Sequence, residues 1–141
     1  MTLEQKFTLF EKKATLSTLW IFVLLNVIFR DIHELFRVGL LEEMITGVVN
    51  GTEITNSLML IAGIGLEISI LMVILARVLP YRVNRWANII ISLITMLSLV
   101  SAGTNDMDDI FFLAVELMAL VYIIYYAWTW HQGKVTHSLA H

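Results

Sequence analysis

Two glutamates and an arginine stand inside stretches that are otherwise apolar. Glu67 is flanked by Gly63, Ile64, Gly65, Leu66, Ile68 and Ser69, and Glu116 lies inside the apolar run 109–130. Glu116 sits roughly 10 Å from the start of its run at 1.5 Å per helical residue. A carboxylate facing lipid at such depth is costly, so each must face inward, carry a proton or meet a cation. Asn26, Arg30, His33 and Arg37 follow one another at i, i+4, i+7 and i+11, the spacing of one helical face. Asp31 and Glu34 sit beside that stripe. Arg30 would neutralise one carboxylate, leaving another free to carry a proton or to hold a cationic or hydrogen-bonding ligand. The candidate ligand-binding or proton-carrying set is therefore Asn26, Arg30, Asp31, His33, Glu67 and Glu116. The same residues also read as an ion-pair network that fixes helix register.

Other chemistries find little support. The chain has no cysteine, which removes disulfide scaffolds, thiolate metal sites, iron–sulfur clusters and CxxC redox chemistry. His33 is far along the chain from His131, His137 and His141, which fall at the opposite end, so neither a metal site nor a haem is expected, and no cofactor is. No HExxH or GxSxG motif occurs. Two carboxylates and a histidine could still do acid–base chemistry on a lipid, but the balance is against an enzyme. Nothing suggests a nucleic-acid partner.

The elements that would position these residues are membrane helices. Hydrophobic residues make up 58% of the 141 and charged residues 15%, against roughly 45–50% and about 25% in soluble domains. Lipid must be the solvent for much of that surface. Four apolar runs, about 14–36, 57–79, 84–102 and 109–130, form one transmembrane domain, an all-α four-helix bundle. The first is apolar only over 14–29, so it must finish its crossing with polar side chains inside protein or stop short. It lacks a small-residue cleavage site and reads as a retained helix. Between the first two runs, Phe36, Leu40, Leu41, Met44, Ile45 and Val48 recur at helical spacing and predict an interfacial amphipathic helix. Asn50-Gly51 then predicts a turn. Thr55, Asn56 or Ser57 can cap the second run and Thr104, Asn105 or Asp106 the fourth. Pro80 breaks the chain before the third. The short links make helices two, three and four antiparallel neighbours.

Smaller features have plain structural readings. Ala62, Gly63, Gly65 and Ser69 predict close helix packing. Ser92, Thr95 and Ser98 are expected to bond back to their own helix. Tyr122, Tyr125, Tyr126, Trp128, Trp130 and Trp86 predict an aromatic belt. Lys6, Lys12, Lys13, Arg77, Arg82, Arg85 and Lys134 fall on one side, which the positive-inside rule makes cytoplasmic, with both termini there. Residues 131–141 are expected to be a loosely ordered polar tail.

Leu16-Ser17-Thr18-Leu19-Trp20-Ile21-Phe22, Asn26, Glu67, the stretch from Arg77 through Pro80 and Trp86 to Asn88, Glu116 and Tyr126-Ala127-Trp128 together carry a resemblance. They resemble a family of small, uncharacterised bacterial four-helix integral membrane proteins, across about residues 14–130. That likeness implies a bacterial inner-membrane protein and brings no activity. More distantly, the architecture looks like the DoxX-like group of four-helix membrane proteins. A small multidrug exporter also has four helices, but its essential carboxylate is in the first, so that function is not carried over.

The sequence thus predicts a non-enzymatic module that binds a small or lipid-like ligand, or a membrane partner, at a carboxylate/arginine site in the outer half of the bundle. The alternative is proton-coupled transport of a small molecule by an oligomer, with Glu67 and Glu116 as proton carriers. The lipid bilayer is the one certain companion. A homo-oligomer or a membrane-protein partner is left open.

Overall fold

Thr2 starts the first helix well before the apolar run begins. Its hydroxyl accepts the Gln5 backbone N–H at 3.3 Å, and Gln5 Oε1 accepts the Thr2 backbone N–H at 3.0 Å. This reciprocal capping box satisfies two otherwise orphaned donors. Neither glycine nor proline interrupts the residues that follow, so α1 (Leu3–Glu34) runs unbroken for 32 residues. The expected start near residue 14 gives way to a helix three turns longer, because nothing between the cap and the apolar run can stop it. The computed structural model describes residues 2–104 and 106–130. The tail from His131 onward and the Asn105 cap fall outside the described residues.

The connection after α1 is shorter in helix than its apolar spacing predicts. The helix α2 spans only Leu40–Thr46. Gly47 ends it with a left-handed φ of 75°, the usual role of glycine just past a helix. A minimal hairpin follows, β1 (Val48–Val49) pairing antiparallel with β2 (Thr52–Glu53). Asn50 and Gly51 join the strands with φ of 50° and 74°. Positive φ at both central residues defines the turn that best matches strand twist, and Asn-Gly is its preferred sequence.

Three long helices complete the chain. Thr55 caps α3 (Asn56–Val78), its hydroxyl accepting the Leu58 backbone N–H at 3.2 Å. Leu79 is extended, as the residue before a proline tends to be, and Pro80 stands at the N-cap of α4 (Tyr81–Ser101). Asp106 opens α5 (Met107–Trp128), with Asp108 and Asp109 in a first turn whose dipole favours negative charge.

The architecture is all-α, with four long helices forming a bundle. Helix α1 packs between α3 and α5, α4 lies mainly against α5, and α3 and α4 touch over a shorter stretch. Leu16, Trp20 and Val23 of α1 meet Met72 and Ala76 of α3, Ile89 of α4, and Leu120, Ile123 and Ala127 of α5 in the core. Most large apolar side chains point outward, Leu60, Ile74, Leu97 and Phe111 among them. All four long helices are long and apolar enough to cross a membrane. An exterior this apolar needs lipid around it, and the chain is a membrane protein.

We call the end that carries the start of α1 and the end of α5 the terminal end, and the opposite one the distal end. Near the terminal end a polar network knits the bundle. Trp20 Nε1 donates to Asn88 Oδ1 at 2.8 Å. Asn88 Nδ2 donates to the Asn84 carbonyl at 2.8 Å, and Asn84 Nδ2 donates to the Ala76 carbonyl at 2.6 Å. Ser17 Oγ donates to the Val73 carbonyl at 2.8 Å and accepts from Arg77 Nε at 3.1 Å. These bonds and the tight Pro80 link draw α3 and α4 together at this end. Aromatic side chains ring it. Lys12 lies 4.7 Å from the Tyr126 ring and Arg85 5.3 Å from that of Trp128.

Away from that link α3 and α4 diverge. A Cβ added at Gly63 or Gly65 would meet nothing within 4 Å. Gly63 and Gly65, expected to draw helices together, instead border an open crevice, since no neighbour approaches them. Thr95 does bond back to the Ile91 carbonyl at 2.8 Å and also reaches Ser69 at 3.2 Å. Ser92 departs from the expected back-bonding: its hydroxyl is buried with no hydrogen-bond partner among the described residues.

Candidate functional site

Arg30 is the centre of the distal half. It projects from the last turns of α1 and is 9% exposed. Its Nη2 donates to the Gly103 carbonyl at 2.7 Å, just past the end of α4, where a cation also complements the helix dipole. Its Nη1 lies 3.4 Å from Glu116 Oε2 and its Nε 3.5 Å from Asp109 Oδ1. Asp109 and Glu116 are both buried on α5. They are seven residues apart, so two turns of helix put them on one face. Glu116 Oε1 is buried without a hydrogen-bond partner among the described residues. The ion contacts exceed the roughly 2.7–2.9 Å of tight charge-assisted bonds.

A second basic centre closes the distal end. Arg37 Nε donates to Glu34 Oε1 at 2.7 Å, while Nη1 and Nη2 donate to Glu43 Oε1 and Oε2 at 3.2 and 3.3 Å. Glu43 Oε2 also accepts the Asn50 backbone N–H at 2.9 Å. One guanidinium thus ties the end of α1 to α2, and through Glu43 to the hairpin turn. The Arg37 side chain, then the Asn50 N–H, hold the Glu43 carboxyl below the usual carboxylate range. A lowered folded-state pKa gives stability present above the ordinary glutamate value, about 4.3, and lost as pH falls through the lower folded value. The Asn50 amide proton shift should therefore titrate with a midpoint below about 4.3, and should stay flat in Glu43→Gln. A midpoint at or above the ordinary value would show that the clamp does not form.

The six residues singled out from the sequence divide here. Arg30 and Glu116 meet directly. Asp31 lies next to Arg30 on the rim of the same cluster, and among the described residues its carboxylate takes no hydrogen bond or salt bridge. His33 stands outside, its Nδ1 3.6 Å from Asp108 Oδ2 and its ring 5.3 Å from that of Phe112, with about half of both polar side chains exposed. Asn26 turns back on its own helix and donates to the Phe22 carbonyl at 2.8 Å. Glu67 is exposed on α3 and makes no hydrogen bond or salt bridge to Arg30. Asp109, Glu34 and the Gly103 carbonyl belong to the cluster without having been picked out. The spacing of seven between Asp109 and Glu116 was the signal for the first. A backbone carbonyl leaves no trace in side-chain patterning.

Two cavities adjoin the cluster. A cleft of about 360 Å³ at the distal end is lined by Arg30, Asp31, Glu34 and Asp109, with Leu40, Met44 and Asn50 of the connection over it. The crevice between α3 and α4, about 430 Å³, is lined by apolar side chains of both helices and of α1, with Ser69, Thr95 and Ser98. Val27, Asp31 and Leu99 border both. Asp31 therefore stands on the border between the acid-bearing cleft and the apolar crevice.

A model of a protein family described as a family of unknown function, DUF6326, matches residues 6–137. The chain belongs to the DUF6326 family. In the DUF6326 chain the match covers α1 from Lys6 on, the other three long helices in full, the Arg30 cluster and both cavities. No curated protein and no solved structure matches it.

Proposed function

We propose that this membrane protein binds an amphiphilic cation, a small or lipid-like molecule whose charged head lies at Asp31 and whose apolar body lies in the α3–α4 crevice. The observation that carries the reading is the position of Asp31 on the border of both cavities. Arg30 is already engaged by Asp109, Glu116 and Gly103, and Glu34 by Arg37. Asp31 takes no hydrogen bond or salt bridge among the described residues, so its carboxylate in the cleft wall favours a positive charge there. Lys6, Lys12, Lys13, Arg77, Arg82 and Arg85 gather at the terminal end, so we take the cleft to open on the non-cytoplasmic side, with α2 along the interface.

Dodecyltrimethylammonium is a suitable probe, with equilibrium dialysis against the protein in phosphatidylcholine nanodiscs. Saturable binding is expected, weakened about tenfold by Asp31→Asn, the equivalent of about 1.4 kcal/mol. Dodecanoate, with the same tail and opposite charge, should not saturate. Equal affinity of the Asp31→Asn variant for the probe would sink the reading. Binding accompanied by proton-driven flux into vesicles would turn it from a binding module into a transporter.

A further inference from the structure

Glu67 sits at the midpoint of the 23-residue α3 and is exposed on the outside of the bundle. It takes no hydrogen bond or salt bridge among the described residues. At the centre of a membrane-spanning helix that carboxyl would face hydrocarbon, where an unsatisfied polar group is costly. No cation among the described residues is placed to relieve it. Arg30 is buried and engaged, and Arg77 lies at the terminal end, where it bonds Ser17. Nothing among the described residues therefore satisfies the carboxyl.

The surface around it has a regular form. Leu60, Ile64, Glu67, Leu71 and Ile74 follow at spacings of four, three, four and three. All five are exposed, the four apolar ones by 43–64%. That alternation is the seam along which two helices pair in a left-handed crossing. Helix α3 is also the least covered of the four, with 11% of its most apolar stretch buried against 22% or more in the others.

We propose that α3 is the interface between two copies of this chain, paired in parallel about a two-fold axis that brings Glu67 of one copy against Glu67 of the other. Copies inserted in the same orientation present this carboxyl at the same depth, which a partner of unrelated sequence would match only by accident. A two-fold interface needs a self-complementary surface. A carboxylic acid both donates and accepts, so two of them satisfy each other. The seam needs nothing from the Arg30 cluster, so it stands independently of the ligand proposed above.

The absence of cysteine makes the test direct, since single-cysteine variants carry no background thiol. In lipid vesicles, oxidation should cross-link Leu60→Cys, Ile64→Cys and Leu71→Cys as dimers, and Ile61→Cys and Ile70→Cys several-fold less. In a titration of protein against lipid read by single-molecule photobleaching, Glu67→Leu should weaken dimerisation about tenfold. Glu67→Gln should retain most of it, because a carboxamide also pairs with itself. Glu67 is not part of the bundle core, so both variants should fold, with unchanged helical circular dichroism. Equal cross-linking on and off the seam, a wild type monomeric at every ratio, or a Glu67→Leu dimer as strong as wild type would each overturn the proposal.

Discussion

Replacing Arg30 with Met should make the bundle about 3–5 kcal/mol less stable, the usual cost of removing one partner from a buried ion set. Met keeps much of the apolar stem, so the loss reports charge rather than volume. Asp109 and Glu116, 4% and 0% exposed, would be left without their cation, and the Gly103 carbonyl without its donor. The triple variant Arg30→Met, Asp109→Asn, Glu116→Gln should recover most of the stability, because no uncompensated charge then remains inside. Reversible unfolding in mixed micelles measures both. If Arg30→Met costs less than about 1 kcal/mol, the long contacts at 3.4 and 3.5 Å are bridged by water and contribute little.

Trp20→Ala should cost a similar amount, about 3–5 kcal/mol, for a different reason. Trp20 is fully buried between α1 and the other helices, and its removal opens a cavity that the neighbours only partly fill. Trp20→Phe separates packing from polarity. It keeps most of the ring and loses the bond to Asn88, and polar bonds between membrane helices average about 0.6 kcal/mol, with a maximum near 1.7. The same unfolding assay should rank Trp20→Ala far below Trp20→Phe. Near-equal losses would mean that the hydrogen-bond network, not the indole volume, holds the terminal end together.

Some of this was legible in the residues. Four long apolar runs mark four helices whatever their packing, because length and hydropathy alone set the crossing. The Asn50-Gly51 turn and the Thr55 cap are local, and local chemistry decides them. The pairing of Arg30 with Glu116 follows from lone charges seeking each other in an apolar medium. Glu67 was less readable for a physical reason. Helix α3 is apolar nearly all round, so periodicity does not say which side faces inward, and only packing against α1 fixes its rotation. The hairpin escaped the apolar spacing of 36–48, which continues as if Gly47 were not there.

The length of α1 has a mechanical meaning. Its 32 residues make a rod of about 48 Å, against about 30 Å of hydrocarbon. No glycine or proline softens it, and Trp20 is clamped to Asn88 partway along. Ser17, Trp20 and Arg30 anchor the rod to the other helices along its middle and distal parts. Phe7, exposed on the first turns, lies about 20 Å from Trp20 along the axis, and Arg30 about 15 Å the other way. One unbroken helix therefore sets the spacing between the polar network near one end of the bundle and the ion cluster near the other.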